Sequence, residues 1–345
     1  MDEAIRNRIL GSVIAGAAGD ALGYPVEFTD SYSRIVAQYG PDGITGYDND
    51  AYYDKAQVSD DTQMTLYTIA GICKASSENF DDVIDYIRQS YVVWMCRQTG
   101  VAANTSFIPD IAGVESLNKR RAPGITCLNA LDNIRRGIPV VNNSKGCGSI
   151  MRIAPVGLYA VAKRIAYDRC AELASEVALI THKHPMSTLS SAVCAVLIQQ
   201  CAENVAPLSQ EGFCNMVRKA LDVTKQLYSC QYPNYTCELE RICLEALDFK
   251  DDKRLDWEII EHSIGEGWVA EETLTISLFC VARHINNVEK CLIAAVNHGG
   301  DSDSTGAVAG NIIGAILGFD AIPESLCRNL QDIDILKKMA ELLVE

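Results

Sequence analysis

Small residues recur at every fourth position in two segments near opposite ends of the chain: Gly11, Ala15, Gly19 and Gly23, then Gly306, Gly310, Gly314 and Gly318. Residues four apart lie on one face of a helix, so each segment presents a stripe with almost no side chain. A glycine inside a helix costs about 1 kcal/mol against alanine, and a run of them needs a compensating contact. The spacing predicts two central helices, each closely approached along its bare face, with one another as available partners. Chance enrichment in small residues is the bland alternative, and it implies no close approach. No repeat of the roughly 20–50-residue kind that builds solenoids is visible.

Most of the chain keeps the helical period. It runs through TQMTLYTIAGICKA, DDVIDYIRQSYVVWMCR, AELASEVALIT, SSAVCAVLIQQCAE, GFCNMVRKALDVTKQLY, ETLTISLFCVARHI and ILKKMAELLVE, while strand signals are scarce. Helix-start signals agree: Ser59-Asp60-Asp61 before one helix and Asp81-Asp82 before the next. The fold class read from this pattern is all-α. No Gly/Ser-rich or Pro-rich linker divides the chain, so residues 1–345 are expected to form a single compact multi-helix domain. The stretches 100–124 and 139–150, rich in Gly, Pro, Asn and Ser, read as long loops within it, the kind of segment that often carries function.

The opening MDEAIRNRILGSVIAGAAGDALG resembles a signal-type apolar stretch, but Asp2 and Glu3 precede it and Asp20 follows with no processing site, so it reads as a core helix. No run approaches the roughly 20 apolar residues of a membrane span, and no membrane partner is expected. Lys and Arg number 30 against 45 Asp and Glu, a net charge of −15. Such a surface repels phosphate backbones, which argues against binding free nucleic acid. An anionic ligand would need a local site where cations or helix N-termini reverse the field. The 14 Cys include no CxxC pair, and several lie in apolar helical stretches, so reduced core thiols and a cytoplasmic location are expected.

Two acidic clusters stand at loop-to-helix junctions: Ser59-Asp60-Asp61-Thr62, and His298-Gly-Gly-Asp301-Ser302-Asp303-Ser304-Thr305. Capping accounts for one Ser or Asp at a helix start. It does not account for alternating Asp and hydroxyls after a Gly-Gly turn, which suit a hard cation. The spacing of an EF-hand is missing. Neither cluster alone supplies enough ligands. Together they offer four Asp and several hydroxyls, sufficient for a pair of cations about 3.5–4 Å apart, provided the two ends of the chain meet.

The blocks GDALGYPVEF, SDDTQM, GCGSIMRIAPVGL, THKHP and NHGGDSDSTGAVAGNIIGAILG, in this order, resemble those of the ADP-ribosylglycohydrolase family, which includes the dinitrogenase reductase-activating glycohydrolases. RRAPGITCL and GEGWVAEETL also look like bacterial members. The resemblance covers roughly residues 10–320 and is specific as a set. It implies an all-helical single domain with two divalent cations, Mg2+ or Mn2+. It also implies removal of ADP-ribose from arginine or serine side chains or from small acceptors. The expected partners are therefore an ADP-ribosylated protein or a small ADP-ribosyl compound.

By this resemblance Ser59, Asp60 and Asp61 match one metal-ligand block, and Asp301, Asp303 and Ser304 the other, with Ser304 where the family more often has Thr. Glu27, Asp61 and Asp303 make up the catalytic set, Glu27 orienting ribose hydroxyls or assisting the water. Gly146, Gly148, Ser149 and Met151 match a loop used around phosphate and ribose, with Cys147 where the family usually has Asn. His182 matches a histidine near the diphosphate, Asn104 falls where polar residues lie close to the metals, and Trp268 could cover the substrate, while His184 is expected outside. The implied chemistry is attack of a metal-activated water on the anomeric carbon through an oxocarbenium-like transition state. The alternatives are another two-metal hydrolase, such as a phosphodiesterase, or an inert ADP-ribose-binding member of the fold.

Overall fold

A computed structural model describes residues 1–48, 55–75 and 79–345. Its regular structure among these residues is helical, with two isolated bridges, Ala56–Leu330 and Gly146–Val269. The all-α expectation holds.

The organising contact is between the helix Glu3–Gly23 and the helix Ser302–Leu317. A Cβ on Gly19 would lie 2.0 Å from the Gly306 carbonyl oxygen, one on Gly310 2.1 Å from that of Ala15, and one on Gly314 2.2 Å from that of Gly11. The pairs run in opposite directions along the two segments, so the helices are antiparallel and their backbones touch along both bare faces. The chance-enrichment alternative is thereby overturned. A polar tie reinforces the crossing: Ser12 Oγ donates to the Asn311 carbonyl at 2.8 Å, and Asn311 Nδ2 donates to the Ser12 carbonyl at 2.9 Å, both buried. The consequence for the site is direct. The C-terminal end of the first helix is laid beside the N-terminal end of the second.

The segment Glu3–Val26 corrects one sequence expectation. It is long and apolar enough to cross a membrane by length and composition, with mean hydropathy 1.3, yet 83% of that window is buried inside the fold. Its apolar surface is consumed by helix packing. The helix Pro185–Glu203, buried from Met186 to Ala202, is apolar all round for the same reason. All 14 cysteines are unpaired, in line with the thiol reading.

Ser59 caps the helix Asp60–Lys74, its side chain accepting from Asp61 N. The next helix, Phe80–Thr99, is capped by Asn79, not by Asp81 or Asp82, which occupy its first turn. Asn79 Oδ1 reaches the Asp81 N–H, and the two acids complement the helix dipole instead. Within this layer Gln63 is a buried hub. Trp94 Nε1 donates to it at 3.1 Å and Gln98 Nε2 at 2.9 Å, while its own amide donates to the Lys119 carbonyl at 3.1 Å. That last bond, with Asp60 N donating to the Arg121 carbonyl at 3.0 Å, pins the 116–124 loop over the acidic helix start.

Candidate active site

The two acidic helix starts share the floor of a cavity of ≈ 540 Å³. Asp60 and Asp61 come from the helix that Ser59 caps, and Asp301, Asp303 and Ser304 from the helix that Asp301 caps through Ser304 N. Glu27 joins them from the turn that follows the first glycine-striped helix. All four Asp are at most 5% exposed. The positive ends of two helix dipoles therefore face one polar basin.

A sixth carboxylate was missed by the sequence reading. Asp20, fully buried, accepts from Ser59 N at 2.9 Å, from Thr62 N at 3.0 Å and from Thr62 Oγ1 at 2.5 Å. One helix thus caps another, and Asp20 locks the Ser59–Asp61 segment onto the Glu3–Gly23 helix. The available signal was a lone carboxylate inside a Gly/Ala-rich apolar run, where only a buried partner makes its burial tolerable.

The electrostatics of the floor are those of crowded buried acids. Burial, then the charge of Asp303, pushes Asp20 up to about 7 against the pull of its hydrogen bonds. Burial, followed by Asp303, Asp301 and Asp60, pushes Glu27 up to about 10. Asp60, Asp61 and Asp301 are raised well above the usual carboxylate range by burial and then by Asp303, and Asp303 itself is raised by burial. Their partners are hydroxyl, thiol and amide donors: Ser59 to Asp303, the Cys147 thiol to Asp301, and Gly124 N to Asp60 at 3.4 Å. Asp61 Oδ2 and Glu27 Oε2 are buried with no hydrogen-bond partner. An oxygen-only set with orphaned acceptors has the chemistry that hard divalent cations take. In the present side-chain arrangement no three His, Cys, Asp or Glu among the described residues converge as a chelate.

The walls come from three further segments. Gly146, Cys147, Gly148 and Met151 line one side with His182. Cys147 N donates to the Trp268 carbonyl at 3.1 Å and Ala270 N to the Lys145 carbonyl at 2.8 Å, tying that turn to the 265–269 loop. The same loop grips the acidic turn, since Asp301 N donates to the Glu266 carbonyl at 2.8 Å. Gly300, at φ +120, has no room for a side chain: a Cβ would sit 2.1 Å from that same oxygen.

Among the predicted residues, Glu27, Asp60, Asp61, Gly146, Gly148, Met151, His182, Trp268, Asp301, Asp303 and Ser304 all line the cavity. Ser59 and Ser149 are fully buried beneath it, Ser149 accepting from Ser187 Oγ at 2.6 Å. Asn104 is a correction. It lies on the exposed loop after Gly100, away from the cavity lining, and its Oδ1 is engaged by Ser106 N in a local turn. His184 is outside as expected, capping the helix Pro185–Glu203. The 120–127 wall, including Arg120 and Cys127, falls in the RRAPGITCL block, which the sequence reading noted without assigning its residues to the site.

The sequence reading missed Phe28. Phe28 has φ +66 and is 67% exposed, and its ring stacks on Trp268 with centroids 5.6 Å apart and planes 25° from parallel. A left-handed backbone at a bulky residue costs roughly 1–2 kcal/mol and concentrates at functional positions. Phe28→Gly separates the two roles. Thermal stability should hold or rise by up to about 1 kcal/mol as strain is relieved. KM for the substrate should rise about tenfold as the aromatic cover is lost. Melting curves beside steady-state kinetics check both directions.

Comparisons with known proteins bear on the family and the fold. A family model described as ADP-ribosylglycohydrolase matches residues 1–345. A Dictyostelium discoideum protein named ADP-ribosylhydrolase ARH1 is 24% identical, over 97% of this chain and 93% of its own. The ADP-ribosyl-[dinitrogen reductase] glycohydrolase of Rhodospirillum rubrum is 24% identical, over 92% of this chain and 88% of its own. A solved structure described as an ADP-ribosylglycohydrolase-related protein complex shares the fold with a TM-score of 0.66 at 20% identity, covering 99% of both chains.

Proposed function

The chain belongs to the ADP-ribosylglycohydrolase family, whose members hydrolyse ADP-ribosyl linkages, and from that premise we propose that it cleaves the glycosidic bond between ADP-ribose and an arginine, serine or small-molecule acceptor with the help of two divalent cations, Mg2+ or Mn2+. The observation that carries this reading is the meeting of Asp60-Asp61 with Asp301 and Asp303, about 240 positions apart in sequence, around orphaned Asp61 and Glu27 oxygens. Ser59, Asp60, Asp61, Asp301, Asp303 and Ser304 would hold the cations, exchanging their present hydroxyl, thiol and amide partners for them. Such cations, when bound, offset the carboxylate charge and acidify a nearby water.

The chain's own residues supply the rest. Glu27, beside the acids and with an unpartnered buried Oε2, is suited to orient a ribose hydroxyl or assist the water. Positive charge developing at the sugar during bond cleavage is favoured by the surrounding carboxylates. The side-chain-free backbone at Gly146 and Gly148 and the ring of His182 form the wall suited to a diphosphate, since glycine lets an anion approach closely. The stacked rings of Phe28 and Trp268 would cover a bound substrate at the cavity wall. These local features reverse, at one place, the repulsion that a surface of net charge −15 exerts on an anion.

The test is an assay of arginine- and serine-linked ADP-ribosyl peptides in Mg2+ and in Mn2+, with chromatographic identification of the product. Free ADP-ribose is expected, lost on EDTA treatment and restored by readdition of the cation. Release of AMP would instead mark a phosphodiesterase, and no product from any substrate would leave a binding protein.

A further inference from the structure

The wall of the cavity at His182 is backed by a buried polar chain. Arg152 is fully buried, its guanidinium 4.4 Å from the centre of the Tyr91 ring. Nη1 donates to Met64 Sδ at 3.4 Å and to Cys127 Sγ at 3.3 Å, and Nη2 donates to Thr181 Oγ1 at 2.5 Å. Its Nε has no hydrogen-bond partner. A buried guanidinium held by sulfur, by the Thr181 hydroxyl and by Tyr91 is costly, more so than an apolar residue of similar size. Packing alone does not explain its presence.

The chain continues toward the cavity. Thr181, also fully buried, has Oγ1 2.8 Å from His182 Nδ1. A guanidinium can only donate, so the threonine oxygen accepts from Arg152. That bond polarises the hydroxyl, making it a better donor and a poorer acceptor. Of the acceptors within reach, an imidazole nitrogen is stronger than the Cys127 sulfur, which also contacts Thr181. The threonine proton therefore goes to Nδ1, which leaves the ring proton on Nε2. Nε2 lies on the cavity side: a Cβ on Gly146 would be 3.3 Å from it, and it has no hydrogen-bond partner among the described residues.

We infer that Arg152 and Thr181 are positioning residues that fix His182 with its proton on Nε2 and turn that N–H into the cavity as a donor to an anionic ligand, a diphosphate in the proposed function. The ligand half of the inference rests on the ADP-ribosyl reading, whereas the tautomer does not. The titratable side chains around the ring are Arg152 and Cys127, with Cys147 in the adjoining turn. Burial, and then the Arg152 charge, pushes His182 down to about 3, so the ring stays neutral through the ordinary working range. The donor strength of the wall is then set by geometry and not by pH.

The full chain carries five histidines, which makes [15N]histidine labelling informative, with His182→Gln identifying the signal. Wild type should show His182 with Nε2 protonated and no titration between about pH 5 and pH 8. Thr181→Val, nearly isosteric, should mix the tautomers. It should also weaken binding of ADP-ribose about tenfold and raise KM more than it lowers kcat, while Thr181→Ser restores both signals. Arg152→Lys, which keeps the charge but loses the fork, should fall between. A wild-type ring protonated on Nδ1, or a Thr181→Val protein with unchanged spectrum and affinity, would overturn the inference. If ADP-ribose binds neither protein while the tautomer behaves as stated, the ADP-ribosyl reading fails and the relay stands.

Discussion

Asp303→Asn is expected to lower turnover of an ADP-ribosyl substrate by roughly a thousandfold or more and, in cation-free buffer, to melt at a higher temperature than wild type. Two opposite effects from one atom exchange follow from where Asp303 sits. Its charge is among the causes that raise Asp20, Glu27, Asp60, Asp61 and Asp301. Removing it relieves repulsion throughout the floor and at the same time deletes a donor from each way of holding the cation pair.

The stability half has a definite pH dependence. A carboxylate raised in the folded state binds its proton more tightly there than in the unfolded chain. Folding is then most favourable below the unfolded value, and stability is lost as pH rises through the folded value. For Asp20 that window runs from 3.8 to about 7, and for Glu27 from 4.5 to about 10. EDTA-treated wild type should therefore lose stability between about pH 5 and pH 8. Asp303→Asn should lose less, the two proteins converging at the acid end. Saturating Mg2+ or Mn2+ should reverse the order, because wild type then gains binding free energy that the variant lacks. Melting curves at both ends of the range, with EDTA and with cation, read all of these together. A variant that is less stable than wild type in EDTA at high pH would contradict the crowding argument.

The second large effect concerns Gly310→Ala. Helix propensity alone predicts that alanine stabilises by about 1 kcal/mol. The packing predicts the opposite: the new Cβ would lie 2.1 Å from the Ala15 carbonyl oxygen and 2.6 Å from its carbon, both backbone atoms that no rotamer change can move. The two central helices would have to separate along their length. Overpacking of this kind costs several kcal/mol, a large part of the roughly 5–15 kcal/mol that holds a domain together. Gly310→Ala is expected to be largely unfolded or insoluble. Gly113→Ala is the control, since nothing lies within 4 Å of a Cβ there, and it should change stability by less than about 0.5 kcal/mol. Soluble yield and chemical denaturation distinguish these outcomes. The variant also tests positioning, because the Gly19–Gly306 and Gly23–Ser302 approaches set Asp20 and Glu27 against Asp301 and Asp303.

The parts of this architecture that the sequence revealed are those with a period or a cost. The glycine stripes were legible because each glycine is unfavourable in a helix unless something lies against it. The Asp301–Ser304 cluster was legible because one cap needs one acid. The cavity walls at Gly146–Gly148, His182 and Trp268 came from the resemblance of whole blocks, not from single residues. The residues that escaped have roles made by tertiary contact. Asp20 caps a helix far from it in sequence. Phe28 is placed by an unusual φ that no composition announces. The 120–127 wall is held by Gln63 and by Asp60 N on the Arg121 carbonyl. Asn104 failed for the converse reason: it is polar and near a plausible segment, but its loop runs over the surface and its side chain is spent on Ser106 N. The first helix is the core helix that the sequence reading expects, although it also meets the length and composition test for a membrane span, which that reading holds no run to approach.

The most direct measurement is a calorimetric titration of Mn2+ into EDTA-stripped wild type and Asp303→Asn, each with and without ADP-ribose. The account expects two ions per wild-type chain, bound more tightly when ADP-ribose is present, and loss of at least one ion in the variant. Wild type that takes up no Mn2+ in either condition, or a variant with the same stoichiometry and affinity as wild type, would contradict it.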